Sequence, residues 1–126
     1  MTIREQLNPK GKYTKFVSLL FNARTNAHIA HLQTTSYAAH KALDDFYSEV
    51  VGLADRFAES AQGTQGILKG YTLGTLCDCP ILDFLKSQHD EILKMRSSFT
   101  EGHLLQIIDD TVELYSSTIY KLTFLK

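Results

Sequence analysis

The sequence predicts an all-α four-helix bundle, and three observations carry that prediction. Apolar residues recur at alternating steps of three and four in four separate stretches, which is the spacing of one helix face. Only two prolines interrupt the 126 residues. Four of the seven glycines fall between positions 63 and 74, so the helix breakers gather in one middle segment.

The first helix is expected from about Lys12 to Gln33, with Phe16, Leu20, Ala23, Ala27 and Ala30 on one stripe. Thr34, Thr35 and Ser36 follow as a hydroxyl cluster suited to a turn and an N-cap. The second helix is expected from Ser36 to about Gln62, on the stripe Ala39, Leu43, Phe46, Val50, Leu53 and Phe57, with Gly63 as its stop. Residues 63–80 read as a long crossover interrupted by glycine, with a short helix over Ile67–Thr72. Pro80 suits the first turn of a third helix, whose stripe is Leu85, Gln88, Ile92, Met95 and Phe99. Thr100, Glu101 and Gly102 break it, and the fourth helix carries Leu104, Ile108, Thr111, Tyr115, Ile119 and Leu122. Four helices with one apolar stripe each must pack together to bury them. The whole chain, 1–126, reads as one domain with residues 1–11 flexible.

Hydrophobic residues make up 44% and charged residues 21%, which is ordinary globular usage. The formal net charge of -1 leaves no electrostatic footprint for direct DNA binding, which depends on neutralising many phosphates. The N-terminal Arg4, Lys10 and Lys12 against Glu5 are only mildly basic. No apolar run approaches the roughly 20 residues of a membrane span, and no signal peptide opens the chain. Cys77 and Cys79 stand two apart, a spacing that strains a disulfide. Free thiols and a cytoplasmic location are therefore expected. As a metal site, two thiolates without a second pair are a weak signal.

The second helix is rich in candidate ligands: His40, Asp44, Asp45, Glu49, Asp55 and Glu59. The first ends with His28 and His31, one turn apart on one face. Imidazole nitrogens and carboxylate oxygens suit iron, and also zinc or manganese. Asp55 and Glu59, four apart, can face one ion, and antiparallel packing brings His28 and His40 close. The fifteen residues from His40 to Asp55 span about 22 Å of helix axis, whereas metal–ligand bonds are about 2 Å long. No single straight helix can bring both to one ion. Either these are two unrelated half-sites, or a second copy supplies the partners. In a two-fold homodimer pairing its second helices near Tyr47 and Ser48, the histidines of one chain meet the carboxylates of the other.

The spacing of His28, His40, Asp55 and Glu59, H-x11-H-x14-D-x3-E, resembles the ferroxidase signature of the Dps family of mini-ferritins. The stretches Ser36–Tyr47, Asp55–Glu59 and Ile107–Leu125 resemble that family's second and last helices. The resemblance implies a ferritin-like bundle that assembles into a homo-oligomer, a dodecameric shell in the family. It implies Fe(II) oxidation and iron storage at sites shared across a two-fold. His28 and His40 would act with Asp55 and Glu59 as ligands and catalytic residues. Ile29 after His28 and the Thr34–Thr35 turn depart from the family pattern, and His31 is the alternative first-helix ligand. The run His31-Leu32-Gln33-Thr34 with Ser36 and His40 is also similar to small ferritin-like proteins, some of them phage-encoded.

Asp44, Asp45 and Glu49 are expected on a solvated or interface face, with Asp44 placed to support His40 from behind. Tyr37 and Tyr47 are expected to pack, and His89 and His103 to lie on the surface. Asp109, Asp110 and Glu113 read as solvated, although in Dps-like shells this region lines a pore. The competing expectation is a non-enzymatic module that dimerises through its second helix, with a structural or vestigial metal site.

Overall fold

The computed structural model describes residues 9–126. The expected flexibility of residues 1–11 falls mostly on residues 1–8, which lie outside the described residues. Pro9 and Lys10 form a turn that leads into the first of four helices. These are α1 (Gly11–Gln33), α2 (Tyr37–Gln65), α3 (Ile81–Arg96) and α4 (Gly102–Phe124).

Local chemistry sets the boundaries. Ser36 caps α2, its hydroxyl accepting from Ala39 N–H at 3.2 Å. Gly63 does not stop α2, because a glycine in an exposed helix only weakens it. The helix continues to Gln65 and ends at Gly66, whose φ of 80° is the left-handed turn that favours glycine. Pro80 stands just before α3 and its carbonyl accepts from Phe84 N–H.

Contacts at the helix ends fix the topology. The Lys10 ammonium donates to the Gln65 carbonyl, which puts the end of α2 beside the start of α1. Lys12 reaches Ser98 O at 2.7 Å, and Tyr13 donates to Glu101 at 2.6 Å, so α3 ends and α4 begins there too. Thus α1 and α4 point one way and α2 and α3 the other. The packed pairs are α1 with α2, α2 with α4, α4 with α3 and α3 with α1. Every neighbouring pair is antiparallel, and one full-length crossover joins the parallel α2 and α3, as in ferritin-like bundles.

Residues 66–80 make that crossover without helix, so the short helix expected over Ile67–Thr72 does not form. The segment must return along a bundle of roughly 34 Å, the rise of a helix the length of α1, and extended chain covers that distance with fewer residues. Its polar backbone is held by α1 side chains instead. Thr72 N–H donates to Ser18 Oγ at 3.0 Å, Asn26 Nδ2 donates to Thr75 O at 3.1 Å, and Cys77 N–H donates to Asn26 Oδ1 at 2.8 Å. Gly74 lies against Asn22, where a Cβ would overlap the asparagine side chain. Ser18, Asn22 and Asn26, spaced four apart, therefore form a polar rail on α1.

The core follows the predicted stripes. Phe16, Leu20, Leu43, Phe46, Phe57, Leu85, Ile92, Leu104, Ile108 and Tyr115 are fully buried. Phe16, Phe57 and Phe99 cluster with Tyr13 at the end where α1 begins, with the Phe16 and Phe57 rings 4.4 Å apart. The buried Tyr115 hydroxyl donates to Gln88 Oε1 at 2.6 Å, and Gln88 Nε2 donates to Leu19 O at 3.2 Å. This polar chain ties α4 and α3 to α1. Burial holds the Tyr115 phenol well above its ordinary pKa.

Among the described residues, no helix is long and apolar enough to cross a membrane.

Candidate functional site

Four aromatic rings gather where α1 turns into α2. The turn is three residues long and capped by Ser36, so the last turn of α1 faces the first turn of α2. His31 and His40 stack with ring centroids 3.7 Å apart and planes 19° apart. His28 stacks on Tyr47 at 4.1 Å and 17°, and Tyr47 meets His31 edge-on at 5.3 Å. His31 is buried, while His28, His40 and Tyr47 are half-buried.

The hydrogen bonds of the histidine pair are reciprocal. His31 Nδ1 lies 2.7 Å from the carbonyl oxygen of His40, and His40 Nδ1 lies 2.9 Å from the carbonyl oxygen of His31. A carbonyl only accepts, so both Nδ1 atoms carry the proton. In the neutral rings the free lone pair is then on Nε2. Neither Nε2 has a partner among the described residues, and no buried side-chain nitrogen or oxygen there lacks one. Neither Nε2 is therefore fully enclosed. Fixing one imidazole nitrogen on a carbonyl so that the other is free is the orientation that metal-binding histidines use.

The Asp44 carboxylate is near enough to Tyr47 to raise that phenol's pKa, while Arg24 opposes the shift. The supporting acceptor of His40 is the His31 carbonyl. Asp55 and Glu59 are exposed on α2, far along the helix from the histidines. At about 100° per residue, Asp55 sits ~60° and Glu59 ~100° around the helix from His40. They share its broad side but not its end. Neither is among the ion pairs of the described residues, which link Lys15 to Glu91, Arg56 to Asp110 and Arg96 to Asp109.

Within one chain, no group of three or more His, Cys, Asp or Glu side chains among the described residues is gathered to hold a metal ion. The interior offers no alternative. Among the described residues its buried polar side chains are Thr14, Ser18, Asn26, His31, Gln88, Thr111 and Thr118, without a carboxylate. A carboxylate-bridged centre inside the bundle, one place where such folds hold metal, has no ligands here among the described residues.

The remaining candidates take other roles. Asp109 accepts a two-pronged bond from Arg96, at 2.8 and 3.1 Å, which holds its carboxyl below the usual range. Asp110 pairs with Arg56 at 3.3 Å. His103 and Glu113 are exposed, and His89 is half-buried with Nε2 3.2 Å from Ser116 Oγ. The expectation of free thiols is overturned, because Cys77 and Cys79 form a disulfide. A one-residue spacer does not force the cysteines apart: the turn brings their Cα atoms to 5.2 Å, inside the range a disulfide spans.

Residues 31–122 match DUF5856, a family of unknown function. The chain belongs to this family. The matched region begins at His31 and takes in His40, Asp55 and Glu59, but leaves His28 outside. A relative from Enterobacteria phage T4, an uncharacterized 14.6 kDa protein in the mobD-ri intergenic region, is 39% identical over 61 residues. That match covers 48% of each chain, so the chain spans about half the length of this curated relative. No solved structure matches.

Proposed function

We propose that the chain binds Fe(II), and oxidises and sequesters it, at sites made by two copies related by a two-fold. His31 and His40 of one copy would act with Asp55 and Glu59 of the partner subunit. The observation that carries this reading is the reciprocal Nδ1–carbonyl pair, which leaves a lone pair on Nε2 of both rings. Two further features support it. The unbroken α2 separates His40 from the exposed acidic pair by about 22 Å, so only a second copy brings them together. Near the midpoint, Ser48 and Gly52 are exposed and small, with open space where a Gly52 side chain would stand, which favours close approach of a second α2. The resemblance to Dps proteins supplies the reaction: Fe(II) is substrate and cargo, and oxygen or peroxide is the oxidant. The same nitrogen and oxygen donors also take zinc or manganese. We take His31 rather than His28 as the first-helix ligand, because the His40 carbonyl holds His31 Nδ1 and leaves its Nε2 lone pair free.

An aerobic Fe(II) titration, read with the native mass, tests this. The wild-type chain is expected as a dimer or a multiple of dimers, up to a dodecamer, oxidising Fe(II) well above the uncatalysed rate. His40→Ala is expected to abolish the excess rate, and a His40→Ala chain that oxidises Fe(II) like wild type would end the proposal. The same reciprocal bonds also favour a second reading, in which they serve only to close the α1–α2 turn. The protein is then a non-enzymatic dimerising bundle, and its wild-type chain shows no Fe(II) oxidation above background.

A further inference from the structure

We infer that Cys77-Asp78-Cys79 is a reversible thiol–disulfide exchange site that reacts with external thiols. A disulfide stabilises a fold mainly by closing a long loop of the unfolded chain. The bond between Cys77 and Cys79 closes a loop of three residues, whose ends the backbone already holds within reach. It joins no two helices, and neither cysteine belongs to the buried core. As a staple it has almost nothing to hold, which leaves its redox chemistry.

The surroundings suit that chemistry. Both cysteines and Asp78 are exposed, so a thiolate in solution can reach the bond. The turn is anchored independently of its sulfurs, because Cys77 N–H donates to the buried Asn26 side chain and Asn26 Nδ2 donates to Thr75 O. Reduction therefore leaves the two thiols side by side, ready to close again. A shallow groove of about 400 Å³, lined by Asn26, Ile29, Gln33, Leu76, Ile81 and Phe84 as well as the cysteines, gives room for an incoming thiol compound.

The exchange balances. A thiolate RS⁻ bonds to one Sγ as the S–S bond breaks, and the electron pair leaves on the other Sγ, which takes a proton. A second RS⁻ attacks the external sulfur of the mixed disulfide and releases RSSR and the second cysteine thiol. Two RSH are oxidised to RSSR while the protein disulfide is reduced to a dithiol, and the reverse reaction closes it.

The test is equilibration of the purified full chain in reduced and oxidised glutathione at varied ratio, followed by acid quench, maleimide labelling and intact mass. The chain has two cysteines, so the label count reads this site alone. A shift from no labels to two labels with a single two-electron midpoint is expected, reversible in both directions, with unchanged helical circular dichroism. Cys79→Ser is expected to trap one glutathione on Cys77. The inference is overturned if both thiols stay labelled in excess oxidised glutathione. It is equally overturned if the bond resists native-state reduction and yields only on unfolding, or if oxidation links separate chains instead.

Discussion

His31 and His40 bind each other's main chain: each ring donates Nδ1–H to the other's carbonyl, at 2.7 and 2.9 Å, while the rings stack at 3.7 Å. The His31 carbonyl is one of the last four of α1, which have no partner within the helix. The His40 ring thus caps α1 from the start of α2. His40→Phe keeps a stacking ring but removes the donor and leaves that carbonyl without its partner. A loss of about 1–3 kcal/mol is expected, measured as a lower urea midpoint at unchanged slope. A variant as stable as wild type would show that the cap contributes nothing.

Shared sites make a prediction that single variants cannot. His40→Ala and Asp55→Asn should each be inactive in Fe(II) oxidation as homo-oligomers. Mixed and allowed to exchange subunits, a heterodimer regains one intact site, formed by His40 of the Asp55→Asn copy and Asp55 of the His40→Ala copy. The other site carries both defects. Activity approaching half of wild type per heterodimer is expected. A mixture as inactive as its parts, once native mass spectrometry shows that subunits have exchanged, would exclude a site built across the two-fold.

The legible part of the fold was the part written in periodicity. The stripes through Phe16, Phe46, Ile92 and Ile108 named four helices and most of the core, because burying one face of a helix demands that spacing. The crossover was not legible in detail. Ile67–Thr72 has a plausible helical composition, but the full length of the bundle had to be spanned. Ser18 and Asn26 supply bonding for an extended chain there, and Asn22 packs against it. Their four-residue spacing was a visible signal, masked by the apolar stripe beside it. At the candidate site, the closeness of His31 and His40 follows from a short turn between antiparallel helices. That their Nδ1 atoms would take backbone carbonyls depends on side-chain rotamers that spacing does not encode. Whether Asp55 and Glu59 meet a histidine depends on a second chain, and no one-chain pattern fixes that.

Tyr13 and Glu101 predict a pH profile. The phenol donates to the carboxylate at 2.6 Å and joins the first turn of α1 to the N-cap of α4. Burial first, and then Glu101, pushes the Tyr13 pKa up to about 12, and the same bond lowers that of Glu101. A lowered carboxyl adds stability that is present above its unfolded pKa and lost as pH falls through the folded one. A raised phenol adds stability that is full below its ordinary value of 10.0 and lost as pH rises towards about 12. The contact therefore works across the neutral range and fades at both extremes. Tyr13→Phe is expected to cost about 1–1.5 kcal/mol at pH 7. It should cost less below the carboxylate range, so the acid limb of the melting-temperature profile flattens. A penalty that is the same at pH 3 and pH 7 would assign the loss to packing alone.

Gly74 tests whether the crossover is held by its contact with α1. A Cβ at this position would overlap not only the end of the Asn22 side chain but also its Cβ, so rotating the asparagine cannot clear the space. Gly74→Ala must lift the strap or push α1, and overpacking of this kind costs about 1–3 kcal/mol. The first bonds at risk are those flanking the contact, Thr72 N–H to Ser18 Oγ and Cys77 N–H to Asn26 Oδ1. Hydrogen exchange should quicken at those two amides while Ile92, inside α3, keeps its protection. Asn22→Ala on the same background removes the far atoms but leaves a Cβ in place, so it should restore only part of the lost stability. Full recovery would mean that the terminal amide was the sole obstacle. Unchanged exchange at Thr72 and Cys77 would mean that the strap does not depend on close contact with this face of α1.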